Sequence, residues 1–106
     1  MDIKEKYMED TKTWHVLIIG EVDVYNAPEL KKKFHDLAEQ HRGDFVLDCA
    51  DLTYIDSTGL GVLISLLKKV KEYDGSIEIN NLKPFIHKIF VITGLDKIFT
   101  IGVQEA

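Results

Sequence analysis

The sequence predicts an α/β fold, a mixed sheet of four to five strands with helices packed against it, in one domain over residues 1–106. Three observations carry that prediction. Short apolar segments of strand character alternate with longer segments whose apolar residues recur every three or four positions. Capping and turn residues mark most of the handovers between them. The composition, 45% hydrophobic and 29% charged over 106 residues, suits one compact core and excludes global disorder.

Each element can be justified in turn. Ile3 to Tyr7 is a weak strand candidate, followed by a polar turn at Glu9-Asp10-Thr11-Lys12. Thr13 to Ile19 makes a better strand, with Trp14, Val16 and Ile18 on one side and His15, Leu17 and Ile19 on the other. That pattern suits coverage on both faces. Asn26-Ala27-Pro28-Glu29 reads as a helix start, with Asn26 as the cap, Pro28 in the first turn and Glu29 reaching back as in a capping box. Ala27, Leu30, Phe34, Leu37 and Ala38 then fall at helical spacing, and Arg42-Gly43 ends the helix. Phe45 to Cys49 reads as an apolar strand leading through Leu52-Thr53-Tyr54-Ile55 to Asp56-Ser57-Thr58-Gly59. Leu60, Leu63, Leu67 and Val70 continue as a helical stripe that Val62 and Leu66 broaden, and Asp74-Gly75 stops it. Ser76 to Asn80 alternates as a short strand. Pro84 opens a third helix whose Phe85, Ile86, Ile89 and Phe90 read as core, ending at Thr93-Gly94. Ile98 to Val103 supplies a last short element. The order β-β-α-β-α-β-α favours parallel strand pairs.

Charge and composition exclude several function classes. Lys and Arg total 13 against 18 Asp and Glu, a formal net charge of −5. That balance argues against nucleic acid or an anionic membrane surface as partner. The charged start, Met1-Asp2-Ile3-Lys4-Glu5-Lys6, has no signal-peptide core, and no apolar run reaches the roughly 20 residues of a membrane span. The one cysteine, Cys49, forms no intrachain disulfide and suits a reducing cytoplasm. The expected setting is therefore cytoplasmic. The four histidines show no ligand spacing and Cys49 has no cysteine partner, so no metal or other cofactor is expected. Gly59-x-Gly61 lacks the third glycine of a dinucleotide fingerprint, and no phosphate loop is present.

The most informative segment is Asp51-Leu52-Thr53-Tyr54-Ile55-Asp56-Ser57-Thr58-Gly59-Leu60-Gly61, at a strand-to-helix handover. Asp56 or Ser57 would cap the helix, and capping alone accounts for many such sites. A serine there is also exposed beside free N–H groups and the positive end of the helix dipole, which tolerate a phosphate. Gly59 and Gly61 remove bulk beside the hydroxyl, where a partner's backbone could approach. A nucleophile elbow is disfavoured, because Gly-x-Ser-x-Gly is incomplete and no histidine is placed beside Ser57. Glu21-Val22-Asp23-Val24-Tyr25 reads either as a solvated connection or as a second loop beside Ser57, at the strand ends where partners favour α/β folds.

Three stretches carry a family resemblance: Gly20-Glu21-Val22-Asp23-Val24-Tyr25-Asn26-Ala27-Pro28-Glu29-Leu30, Tyr54 through Val62, and Ile92-Thr93-Gly94-Leu95-Asp96. Over nearly its whole length the chain resembles the STAS-domain anti-sigma factor antagonists of Gram-positive bacteria. The resemblance implies partner switching. The unphosphorylated antagonist would bind an anti-sigma factor that is also a serine kinase of the GHKL type, and so release a sigma factor. Phosphorylation of Ser57 would switch binding off, and a PP2C-type phosphatase would reset it. The implied partner-binding set is Glu21, Asp23, Tyr25, Asn26, Asp56, Ser57, Thr58, Gly59, Leu60 and Gly61, on a chain that is no enzyme and is a monomer when free. The alternative within the family is a non-switching subunit of a lipid transport or sensory scaffold complex.

Overall fold

The computed structural model describes residues 1–104. The elements run β1 (Asp2–Met8), β2 (Thr13–Val22), α1 (Ala27–Gln40), β3 (Asp44–Asp48), β4 (Leu52–Ile55), α2 (Ser57–Lys71), β5 (Ile77–Asn80), α3 (Pro84–Thr93), a short 3₁₀ turn (Leu95–Lys97) and β6 (Thr100–Ile101). They form a six-stranded sheet in the order β1-β2-β3-β5-β6, with β4 also paired to β2. Only β1 runs antiparallel, joined to β2 through the turn at Lys12, so the sheet is mixed. It holds more strands than the four to five expected because Leu52–Ile55 and Thr100–Ile101 each add a short one.

β3 pairs with the first half of β2, from Thr13 to Leu17. β4 then takes the same side of β2 from Gly20 to Val22, after a register shift at Gly20–Glu21. Gly20 has a positive φ of 92°, a conformation glycine adopts without strain, and its N–H donates to Asp51 O at 2.9 Å. This kink carries the end of β2 alongside β4, so both strands finish at one edge.

From β2 onwards every crossover steps the same way across the sheet, and right-handed crossovers stepping one way place their helices on one face. The burial pattern agrees. Val16, Ile18, Phe45, Leu47, Ile77 and Ile79 point into the core, while His15 is exposed and Leu17, Val46 and Glu78 are half-buried. The expectation that β2 is covered on both faces is thus corrected: one face carries the helices and the other is open.

The predicted stripe of α1 is buried in full. In α2 the fully buried residues are Gly59, Val62, Leu63, Leu66 and Val70, with Leu60 and Leu67 packed at the margin. In α3 only Ile86 and Phe90 are fully buried, and Phe85, expected in the core, is half exposed. Helix α1 stops at Gln40, short of Arg42-Gly43, because His41 turns to extended backbone. There the ring of His41 stacks on Tyr7 and its carbonyl accepts from Trp14 Nε1 at 3.1 Å, closing the end of α1 over β1 and β2.

Candidate functional site at the start of α2

Ser57 is the first residue of α2 and is exposed, as is Thr58. Asp56 is the cap: its side chain accepts from Gly59 N at 2.9 Å, satisfying one of the free donors of the first turn. Of the two cap candidates, Asp56 takes the role, and the Ser57 hydroxyl makes no hydrogen bond among the described residues. The Asp56 N–H donates to Val22 O at 3.2 Å, which ties the start of α2 to the end of β2.

The β2–α1 turn is held by a reciprocal pair of side chains. Asp23 Oδ1 accepts from Tyr25 N at 2.9 Å and Asn26 N at 3.1 Å. Asn26 Oδ1 accepts from Asp23 N at 2.9 Å, and its Nδ2 donates to Glu21 O at 2.9 Å. Asn26 occupies the cap position of α1 without making the side-chain cap bond, which corrects the capping-box expectation for Asn26 and Glu29. Its amide is spent on the turn instead. The result is a fixed loop that presents Val24 and Tyr25 outward, with Tyr25 91% exposed.

Sheet pairing completes the arrangement. Glu21 lies opposite Tyr54 and Val22 opposite Ile55 across the β2–β4 pair. Glu21 and Tyr54 are exposed, while Val22 and Ile55 are buried beneath them. Exposed Val24, Tyr25 and Tyr54 thus share with Ser57 the edge where β2 and β4 end. Monomeric proteins seldom gather large apolar groups at one exposed edge without a binding role. Val24 and Tyr54 lie in the two segments the sequence marks out but outside the implied partner-binding set. Their signal was available only as apolar residues at a strand end, which does not separate exposed from buried.

The two glycines serve opposite purposes. Gly59 is buried, and a Cβ there would lie 2.6 Å from Ile55 Cγ1 and 2.9 Å from Val22 Cγ1. It lets α2 press onto β2 and β4, so the expectation that Gly59 opens space for a partner is corrected. Gly61 faces outward, and a Cβ there would meet nothing within 4 Å. It lies in a groove of about 360 Å³ between the first turns of α1 and α2, lined by Ala27, Pro28, Lys31, Thr58, Gly61 and Val62. Leu60 turns toward the core margin.

The remaining nucleophiles and acids are elsewhere. Cys49 is 1% exposed, and burial pushes its thiol up to about 12, which leaves it protonated and inert. His35 contacts Ser65 at 3.1 Å between α1 and α2, away from Ser57. No group of three or more potential metal ligands occurs among the described residues. No helix among them is long and apolar enough to cross a membrane.

Comparison with known proteins fits this geometry. The STAS domain family model matches residues 9–106. The chain is 39% identical over 105 residues to an anti-sigma-B factor antagonist of Bacillus subtilis, covering 99% of this chain and 95% of that protein. Among solved structures, an anti-sigma factor antagonist from Mycobacterium paratuberculosis superposes with a TM-score of 0.75 at 23% identity, over 99% of this chain and 87% of that one. SpoIIAA of Bacillus in its phosphorylated form superposes with a TM-score of 0.74 at 18% identity, over 99% of this chain and 92% of that one. At such identities these structures speak for the fold, and the chain belongs to the STAS domain family.

Proposed function

We propose that the chain is a cytoplasmic anti-sigma factor antagonist, switched by phosphorylation of Ser57. In its unphosphorylated form it binds an anti-sigma factor with serine-kinase activity, of the GHKL type, and thereby frees a sigma factor. The observation that carries this reading is the exposed Ser57 hydroxyl in the first turn of α2, without a partner among the described residues and flanked by the exposed Tyr25–Tyr54 edge. The curated relative's name, and a fold-level relative solved in a phosphorylated form, support it. The chain is a regulatory substrate and binding module, with no catalysis of its own.

The binding surface is Glu21, Asp23, Tyr25, Asn26, Asp56, Ser57, Thr58 and Gly61, joined by Val24 and Tyr54. Their roles differ. Tyr25, Val24 and Tyr54 supply apolar contact, since aromatic side chains dominate binding energy in most interfaces. Asp23 and Asn26 fix the β2–α1 turn, Asp56 caps α2, and the Asp56 N–H bond to Val22 O ties the two segments together. Gly61 keeps the groove between α1 and α2 open to a partner side chain.

A phosphate on Ser57 would leave the fold intact, because the N–H groups and dipole of α2 favour negative charge there. It would add about −1.5 to −2 charge at neutral pH beside the Asp56 carboxylate, at the end of the sheet that also carries Asp23. In the free chain that charge is hydrated. In an interface it loses water and meets those acids, so binding weakens without a change of shape. A PP2C-type phosphatase would reset the exposed phosphoserine. The test is to incubate the protein with ATP and soluble extract from its source, then map phosphorylation by mass spectrometry. Phosphate on Ser57, absent without extract, supports the switch. Its absence while the sigma system is expressed favours a non-switching STAS subunit.

A further inference from the structure

We propose that the open face of the sheet is a self-association surface, on which a second copy of this chain docks about a two-fold axis parallel to the strands. The starting point is an anomaly of the fold. All-parallel sheets are ordinarily covered on both faces, and here every pairing but β1–β2 is parallel. Here the one-way crossovers place all three helices on one face, leaving the other as a dish of about 550 Å³. Its lining is mostly charged and polar, with Leu17 and Val46 as half-buried apolar residues in its floor.

The strand register shows what fits it. Lys6 pairs with His15, His15 with Val46, and Val46 with Glu78, so these four form one row across β1, β2, β3 and β5. The neighbouring row, built in the same way, is Lys4, Leu17, Asp48 and Asn80. Both rows place their cation on β1 and their anion on β3 or β5. Lys4 and Lys6 form no ion pair among the described residues. Asp2, the other charge on this face of β1, lies at the far end of the strand and is engaged with Ile3 N.

A two-fold axis parallel to the strands, between β2 and β3, turns each row over onto itself in reverse. Lys6 then stands over Glu78 of the second copy, and Lys4 comes within reach of its Asp48. The exposed His15 stands over Val46, so a protruding ring meets the dip in the opposite floor. Such packing is isologous, each contact occurring twice. It keeps the strand directions of the two sheets nearly aligned, at the roughly 10 Å spacing of packed sheets. The face is four strands wide and small for an interface, so the dimer is weak and salt-sensitive. None of the residues in the two rows, and none lining the dish, belongs to the site at the start of α2, so the two surfaces are distinct.

Sedimentation equilibrium of the unphosphorylated chain, from micromolar to millimolar concentration at low and high salt, tests this directly. A monomer–dimer equilibrium that weakens with salt is expected. Lys6→Glu alone and Glu78→Lys alone should each weaken it at least about tenfold, since each sets like charges face to face. Mixing the two variants should restore dimer, because each copy then offers the other two opposite-charge pairs. Circular dichroism checks that both variants fold. A wild-type chain that stays monomeric throughout, or a dimer indifferent to both reversals and to mixing, would overturn the proposal. Neither result bears on the Ser57 switch, which is read with the anti-sigma factor present.

Discussion

Gly59 and Gly61 lie two positions apart in α2 and face opposite ways, so the same substitution should do opposite things at each. Gly59→Ala forces a methyl against Ile55 and Val22, and overpacking of this kind costs about 1–3 kcal/mol. Urea unfolding should show a lower midpoint with an unchanged slope. Gly61→Ala meets open space and removes a flexible glycine from a helix, so it should stabilise the fold by about 0.5–1 kcal/mol. Calorimetry should nevertheless show weaker binding of the anti-sigma factor, because the methyl fills the groove. At Ser57, alanine should preserve that binding and abolish phosphorylation, while Ser57→Asp should weaken binding. Loss of binding by Ser57→Ala with an intact fold would count against the surface described here. Cys49 supplies a control on packing: its buried thiol should resist alkylation in the folded protein and react once urea unfolds it, read by intact mass. The chemistry of these residues was legible in the sequence, but not their direction. Ser57 stood out through its place at a handover, whereas the spacing Gly59-x-Gly61 gives no hint that one glycine faces in and the other out.

At the scale of elements, α1 and β2 show why some of the chain could be read in advance. Helix α1 spends five apolar residues on one face at regular spacing, and all five are buried. Strand β4 was harder to see, because Leu52-Thr53-Tyr54-Ile55 is short and does not alternate, being buried only at its two ends. It pairs only because β2 runs on past the kink at Gly20. Asn26 departs from the expected cap role for a related reason. Its position and residue type both suit a cap, but Asp23 is three residues away and the two side chains satisfy the turn together. Asn26→Ala removes the bonds to Asp23 N and Glu21 O, and should cost about 1–3 kcal/mol if those groups find no other partner. It should also raise hydrogen exchange at residues 21–26 and weaken partner binding, since Val24 and Tyr25 are held out by that turn. Asp56→Ala removes the cap of α2 and should cost about 0.5–2 kcal/mol, read by thermal melting.

For the whole molecule, the fold separates three jobs. The helical face builds the core, the edge where β2 and β4 end presents the site, and the remaining sheet face stays open. The separation follows from crossovers that never reverse direction, a property of topology that no local pattern in β2 reveals. Alternating strands and helices predicted the class and the parallel pairs, but apolar residues on both sides of β2 suggested two covered faces. On the proposed reading it would also let a phosphate act without moving the structure. Ser57 sits in the first turn of a packed helix, so an added charge there would change what can dock and leave the core untouched. The central claim is that this charge alone switches binding. Its most direct test is a calorimetric titration of the anti-sigma factor with the chain before and after phosphorylation at Ser57. Affinity should fall several-hundred-fold, equivalent to about 3–4 kcal/mol, with unchanged circular dichroism. Equal affinity for the two forms would contradict it.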